Sequence, residues 1–81
     1  MKVRVRLFAA ARQAAGSDRI ELELPDGATI GQLRRRLAEE LPQMSALTAQ
    51  VMFAVDAQYA PDSKEIRPEA DVACIPPVSG G

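Results

Sequence analysis

The sequence contains no histidine and a single cysteine, Cys74, so most side-chain chemistry is out of reach. Without histidine there is no side chain that titrates near neutral pH unaided and no imidazole to hold a metal. One cysteine excludes an internal disulfide and any Cys-x-x-Cys pair. Cys74 lies in the apolar run Val72-Ala73-Cys74-Ile75, with no basic neighbour in sequence to lower its pKa, and reads as a small buried hydrophobe. No nucleophile–base pair and no metal cluster is evident, which argues against a self-contained active site. What remains is the bare carboxylate at the end of Pro76-Pro77-Val78-Ser79-Gly80-Gly81. The proline pair fixes φ, has no N–H to donate and favours an extended course, so it is expected to stop a strand and push the chain off the folded body. Val78 to Gly81 then extend roughly 13 Å further, at about 3.3 Å per residue. Neither terminal glycine has a Cβ, so a narrow channel in another protein could admit this backbone. The alternative is a frayed end without a role, the commonest fate of last residues.

Something must hold that end in place, and the pattern of the chain says what. Lys2 to Phe8 alternates, with Val3, Val5 and Leu7 on one face and Lys2, Arg4 and Arg6 on the other, a half-buried strand. Ala9 to Ala15 predicts a short helix stopped at Gly16. Arg19 to Leu24 alternates again, and its acidic face suits the basic face of the first strand across an antiparallel hairpin. Pro25-Asp26-Gly27 is a turn. Thr29 is an N-cap, followed by the helical stripe Ile30, Leu33, Leu37 and Leu41 up to Pro42. Arg34, Arg35 and Arg36 read as a solvated helix face, with Arg35–Glu39 and Arg36–Glu40 as weak i,i+4 pairs. Gln43 to Gln50 reads as a linker and Val51 to Val55 as a buried strand. Asp56-Ala57 is a turn, Gln58 to Ala60 a short return, and Lys64 to Arg67 a further short strand around Ile66. Pro68 to Asp71 turns into the last strand, Val72 to Ile75.

One helix stripe has to cover one sheet face, and a single crossover helix suits parallel first and last strands. The expected architecture is therefore α+β: a ubiquitin-like β-grasp roll, with a mixed sheet covered by one main helix. Residues 1–75 form the domain and residues 76–81 a flexible tail that leaves from the central strand. The chain has 81 residues, a net charge of −1 and 47% apolar residues, the profile of one small globular domain. That charge leaves no footprint for nucleic acid, and no apolar run approaches the ~20 residues of a membrane span. A cytoplasmic location is the default expectation.

The chain resembles the MoaD family, the sulfur-carrying small subunits of molybdopterin synthase. The resemblance spans essentially the whole sequence. It rests on Val5-Arg6-Leu7-Phe8-Ala9, on Leu24-Pro25-Asp26-Gly27-Ala28-Thr29 with Leu33 and Leu37, on Ala54-Val55-Asp56, and on Val72 to Gly81. The ending is the most specific part, because ubiquitin-like proteins at large share only the final Gly-Gly. Two turns depart from the family pattern. Asp56-Ala57 stands where Asn-Gly or a similar pair is usual, and Pro68-Glu69-Ala70-Asp71 where Asp-Gly-Asp-Glu is usual, so each lacks a glycine suited to positive φ.

The resemblance implies a mechanism and a set of partners. A MoeB-like adenylating enzyme activates the Gly81 carboxylate with ATP, and a sulfur donor converts it to a thiocarboxylate. The tail, Val78, Ser79, Gly80 and Gly81, then enters a MoaE-like large subunit, in a heterotetramer. There it gives sulfur to cyclic pyranopterin monophosphate to form the molybdopterin dithiolene. Catalytic groups belong to the partners; this chain holds no cofactor or metal and supplies the reacting atom on a tether. Phe8, Arg12, Tyr59 and Ile75 match positions that face those partners. Phe8 is out of phase with Val3, Val5 and Leu7, and Ile75 with Cys74, so both are candidates for a sheet face turned away from the helix. Competing readings are a sulfur carrier for thiamine thiazole synthesis, a ubiquitin-like protein modifier joined through Gly81 to lysines, and a binding module with an inert tail.

Overall fold

A computed structural model describes residues 1–77. The alternation at the N-terminus forms strand β1 (Lys2–Leu7), which buries Val3, Val5 and Leu7 and exposes Lys2, Arg4 and Arg6. Strand β2 (Arg19–Glu23) runs antiparallel to it, placing Lys2 opposite Glu23 and Arg4 opposite Glu21. Arg4 Nε donates to Glu21 at 2.9 Å. The expected charge match breaks at Arg6, which faces Arg19 across the ladder and turns to Asp71 instead. Between the strands lies helix α1 (Ala9–Ala15), ended as expected by Gly16 at φ 73°, whose N–H donates to the Arg12 carbonyl at 2.9 Å.

The main helix, α2 (Ile30–Glu40), starts with a reciprocal cap. Thr29 Oγ1 accepts from the Gln32 N–H at 3.3 Å, and Gln32 Oε1 accepts from the Thr29 N–H at 2.8 Å. Two backbone donors that the helix cannot satisfy are thus paired. Ile30, Leu33 and Leu37 are fully buried against the sheet. Arg36 pairs with Glu40 at 2.6 Å on the helix surface, and Arg35 is exposed.

Arg34 corrects the reading of a uniformly solvated arginine face. Its guanidinium donates through Nη1 to the carbonyls of Thr48 and Val51, both at 2.7 Å, and through Nη2 to Asp62 at 2.9 Å. It also lies 5.1 Å from the centre of the Phe53 ring. The segment it grips is not a plain linker. Pro42–Met44 is a 3-10 turn and Ser45–Thr48 a short helix, α3, with Met44 and Thr48 buried. Two successive short turns hold too few residues to show a helical period, so the pattern is weak although Met44 and Thr48 are both buried.

Strands β3 (Met52–Val55), β4 (Gln58–Ala60) and β5 (Val72–Ile75) complete a mixed five-stranded sheet in the order β2-β1-β5-β3-β4. β5 runs parallel to β1 and antiparallel to β3, as the crossover argument expects. The strand expected around Ile66 does not form. Ile66 is buried and its N–H donates to the Ala28 carbonyl at 2.8 Å, but the only bridge there joins Thr29 and Glu65. One apolar side chain between charged neighbours anchors a loop without requiring a ladder.

The two glycine-poor turns keep glycine-like geometry. Asp56 and Ala57 take φ 50° and 69°, and Glu69 takes φ 67°. An alanine in the left-handed region costs about 1 kcal/mol in contact between Cβ and backbone. Ala57→Gly is therefore expected to stabilise the domain by about 0.5–1 kcal/mol, the relief being partly offset by a freer unfolded chain. A urea midpoint that rises at constant slope would show this; a midpoint that falls would mean the left-handed turn carries no strain.

Candidate docking face and C-terminal exit

β5 lies at the middle of the sheet, paired on both sides, so the chain reaches its C-terminal end from the most constrained strand. Pro76 is itself buried and Pro77 is exposed. The four tail positions Val78, Ser79, Gly80 and Gly81 lie outside the described residues. Because β5 and β1 are parallel, the chain leaves beside the C-terminal end of β1. Leu7 pairs with Cys74, so the next step along both strands brings Phe8 level with Ile75.

Period-2 geometry then defines a second sheet face. Val5, Leu7, Val72, Cys74, Phe53 and Val55 point to the helix-covered core. Phe8, Ala73, Ile75, Met52 and Ala54 fall on the other side. Met52 pairs with Ile75 and Ala54 with Tyr59, so Phe8, Ile75 and Met52 form one cross-strand row, with Tyr59 in the row beside it. Phe8 (42% exposed), Met52 (54%) and Tyr59 (65%) are the exposed large hydrophobics among the described residues, and all three lie on this face. Their gathering on one face next to the chain exit, instead of being scattered, makes that face the candidate docking surface.

The four candidate docking residues divide accordingly. Phe8, Tyr59 and Ile75 share the face, Ile75 half-buried between its neighbours. Arg12 is exposed on α1, whose first turn is anchored where the Phe8 carbonyl accepts from Ala11 at 3.1 Å and Arg12 at 3.4 Å. Met52 was missed, because Val51 to Val55 is apolar throughout and reads as buried on both sides. Its signal is visible only through pairing, once the register places it opposite Ile75. In the sequence Arg6 reads merely as one of the polar residues of an alternating strand. It forms a two-point ion pair with Asp71, at 2.8 and 3.0 Å, and lies 5.6 Å from the centre of the Phe8 ring.

Cys74 occupies the opposite, buried face. Burial pushes its thiol from 9.0 up to about 11, a rise only partly opposed by the charge of Arg34. The unfolded chain therefore loses its thiol proton first. The stabilisation that Cys74 gives is complete below pH 9 and is lost as pH climbs towards 11. Cys74→Ala is expected to flatten the alkaline limb of a Tm-versus-pH curve, relative to wild type, over that interval. An unchanged limb would assign the alkaline loss to other groups. Among the described residues no group of three or more Asp, Glu, Cys or His side chains is placed to hold a metal, and no helix is long and apolar enough to cross a membrane.

The chain can be placed among known proteins on two levels. It belongs to the ThiS family, whose description matches residues 5–81. Within that ubiquitin-like class it groups with the molybdopterin synthase sulfur carrier subunits. The one from Chlamydomonas reinhardtii is 35% identical over 83 residues, covering all of both chains. Among solved structures, a putative molybdopterin converting factor subunit 1 from Pyrococcus furiosus superposes with a TM-score of 0.84. It is 32% identical and covers 95% of this chain and 98% of its own. The small archaeal modifier protein SAMP1 of Haloferax volcanii superposes over both full chains with a TM-score of 0.86 at 22% identity, a likeness of fold alone.

Proposed function

We propose that this protein is the sulfur carrier subunit of molybdopterin synthase and that Gly81 is its reacting residue. The observation that carries the reading is the full-length likeness to sulfur carrier subunits in a chain that ends in Gly80-Gly81. In the first step the Gly81 carboxylate attacks the α-phosphorus of ATP in an adenylating partner, expelling pyrophosphate. The acyl-adenylate so formed has a good leaving group where the carboxylate had none. Hydrosulfide released by a sulfur donor then attacks the acyl carbon. The acyl–oxygen bond breaks as AMP departs, and the S–H proton is lost to solvent, leaving a thiocarboxylate. In the large subunit that sulfur passes to cyclic pyranopterin monophosphate. The folded domain supplies no acid or base to these steps.

Its contribution is position. Residues 1–75 act as the body, with the buried Pro76 still held against it, and the residues beyond act as the tether, which raises the effective concentration of the terminal sulfur in the partner's site. Phe8, Met52, Tyr59 and Ile75 dock that partner, with Arg12 at the edge, and two such pairs assemble as a heterotetramer in the cytoplasm. The relatives are named as subunits, which supports a large-subunit partner.

Intact-mass measurement tests the chemistry. Protein purified with its native C-terminus, or incubated with an adenylating enzyme, ATP and a sulfur donor, is expected to carry sulfur in place of one Gly81 oxygen. Carboxylate alone in both samples would remove the carrier reading. Isopeptide-linked adducts on lysines of other proteins would favour a modifier.

A further inference from the structure

Arg6 has an unusual setting for an exposed strand residue. It is phase-matched with Phe8, two positions on, and its Nε and Nη2 are both engaged by the Asp71 carboxylate at 3.0 and 2.8 Å. Asp71 is fixed in turn. Its N–H donates to Asp56 Oδ1 at 3.0 Å, and its carbonyl accepts from the Asp56 N–H at 2.8 Å. Asp56 sits in the left-handed turn between β3 and β4, at φ 50°. The contacts thus run without a gap from that turn through Asp71 and Arg6 to the Phe8 ring, 5.6 Å from the guanidinium carbon. Beyond Phe8 the chain turns away at once through Ala9, at φ 50°, into α1. A planar fork held at two points has little freedom left, and its face attracts an aromatic ring.

We propose that Arg6, clamped by Asp71, is a positioning residue that holds the Phe8 ring in its docking orientation before any partner arrives. The inference rests on the sulfur-carrier reading for the identity of the partner, but not for the order of the ring. An exposed phenylalanine normally samples several rotamers, and association must stop that motion. Here the ordering is done within the free protein, by charges that need not touch the partner. Asp56 and Asp71 thereby gain a role in the docking face although they belong to turns outside it. Asp56 reaches the Asp71 N–H from the left-handed turn between β3 and β4.

The test uses Asp71→Asn, which keeps the backbone N–H and the side-chain size but removes the charge that fixes Arg6. In the free protein, NMR signals of the Phe8 ring are expected to move towards unstructured values, and the Arg6 Nε–H to exchange faster. Affinity for the large subunit should fall about threefold to tenfold, the cost of ordering one interface side chain. In a Phe8→Ala background the same Asp71→Asn change is expected to alter affinity by less than about twofold, since the ring it acts through is gone. Unchanged Phe8 signals in Asp71→Asn would overturn the inference. So would an equal loss of affinity with and without Phe8, which would make Arg6 or Asp71 a direct contact. Failure of the wild-type protein to bind the large subunit would count against the sulfur-carrier reading, while the ring signals would still decide the positioning.

Discussion

Deletion of Gly81 is expected to abolish sulfur delivery while leaving the fold untouched. The last strand ends at Ile75, and a glycine has no side chain to bury. Thermal stability should stay within ~0.5 kcal/mol of wild type, as for surface changes remote from the core. Docking should persist too, since Phe8, Met52, Tyr59 and Ile75 are unaltered. The reacting atom, however, would stop about 3.5 Å short, and a misplacement of even ~1 Å can cost a hundredfold in rate. Adding one glycine should fail for the converse reason, by carrying the reacting atom about 3.5 Å too far. Molybdopterin formation from pre-made thiocarboxylates of both variants is the measurement, because it bypasses any adenylation defect. Near-normal turnover with either variant would show that the partner site does not read tail length.

Replacing Arg34 with methionine should be among the most destabilising single changes available on the helix surface. Methionine preserves much of the aliphatic packing over Phe53 but leaves the Thr48 and Val51 carbonyls without their donor and Asp62 without its partner. Arg34 is only 22% exposed, so water replaces those bonds poorly. A hydrogen bond to a charged group is worth about 1.5–3 kcal/mol, whereas the exposed Asp62 pair adds little. A loss of about 3 kcal/mol is expected, which for a domain this size lowers Tm by roughly 12–24 °C. Arg34→Lys should recover only a minor part, because a point charge cannot serve two carbonyls and a carboxylate at once. Urea unfolding followed by circular dichroism is the check. A loss below about 1 kcal/mol would mean that solvent satisfies both carbonyls.

The local elements were legible because they announce themselves within a few residues. The alternation of Lys2 to Leu7, the Gly16 stop, the Thr29 cap and the stripe through Leu37 each depend on neighbours three or four positions away. Even the topology followed from local evidence, since one crossover helix leaves few ways to order the strands. The resemblance to sulfur carriers was also plain to read, because the motif from Val72 to Gly81 is contiguous in the sequence. Whatever depended on meetings across the fold stayed hidden. Arg34 looked like Arg35 and Arg36, and only packing of α2 against the Ser45–Thr48 turn distinguishes it from them. Met52 looked buried until pairing with Ile75 put it on the open face. Arg6 and Asp71 stand 65 positions apart and join only because β1 and β5 are parallel neighbours. Period and capping are properties of a short window, so sequence alone could settle them. Which charge meets which, and which face of an all-apolar strand stays open, are settled by register, and register exists only once the sheet is assembled.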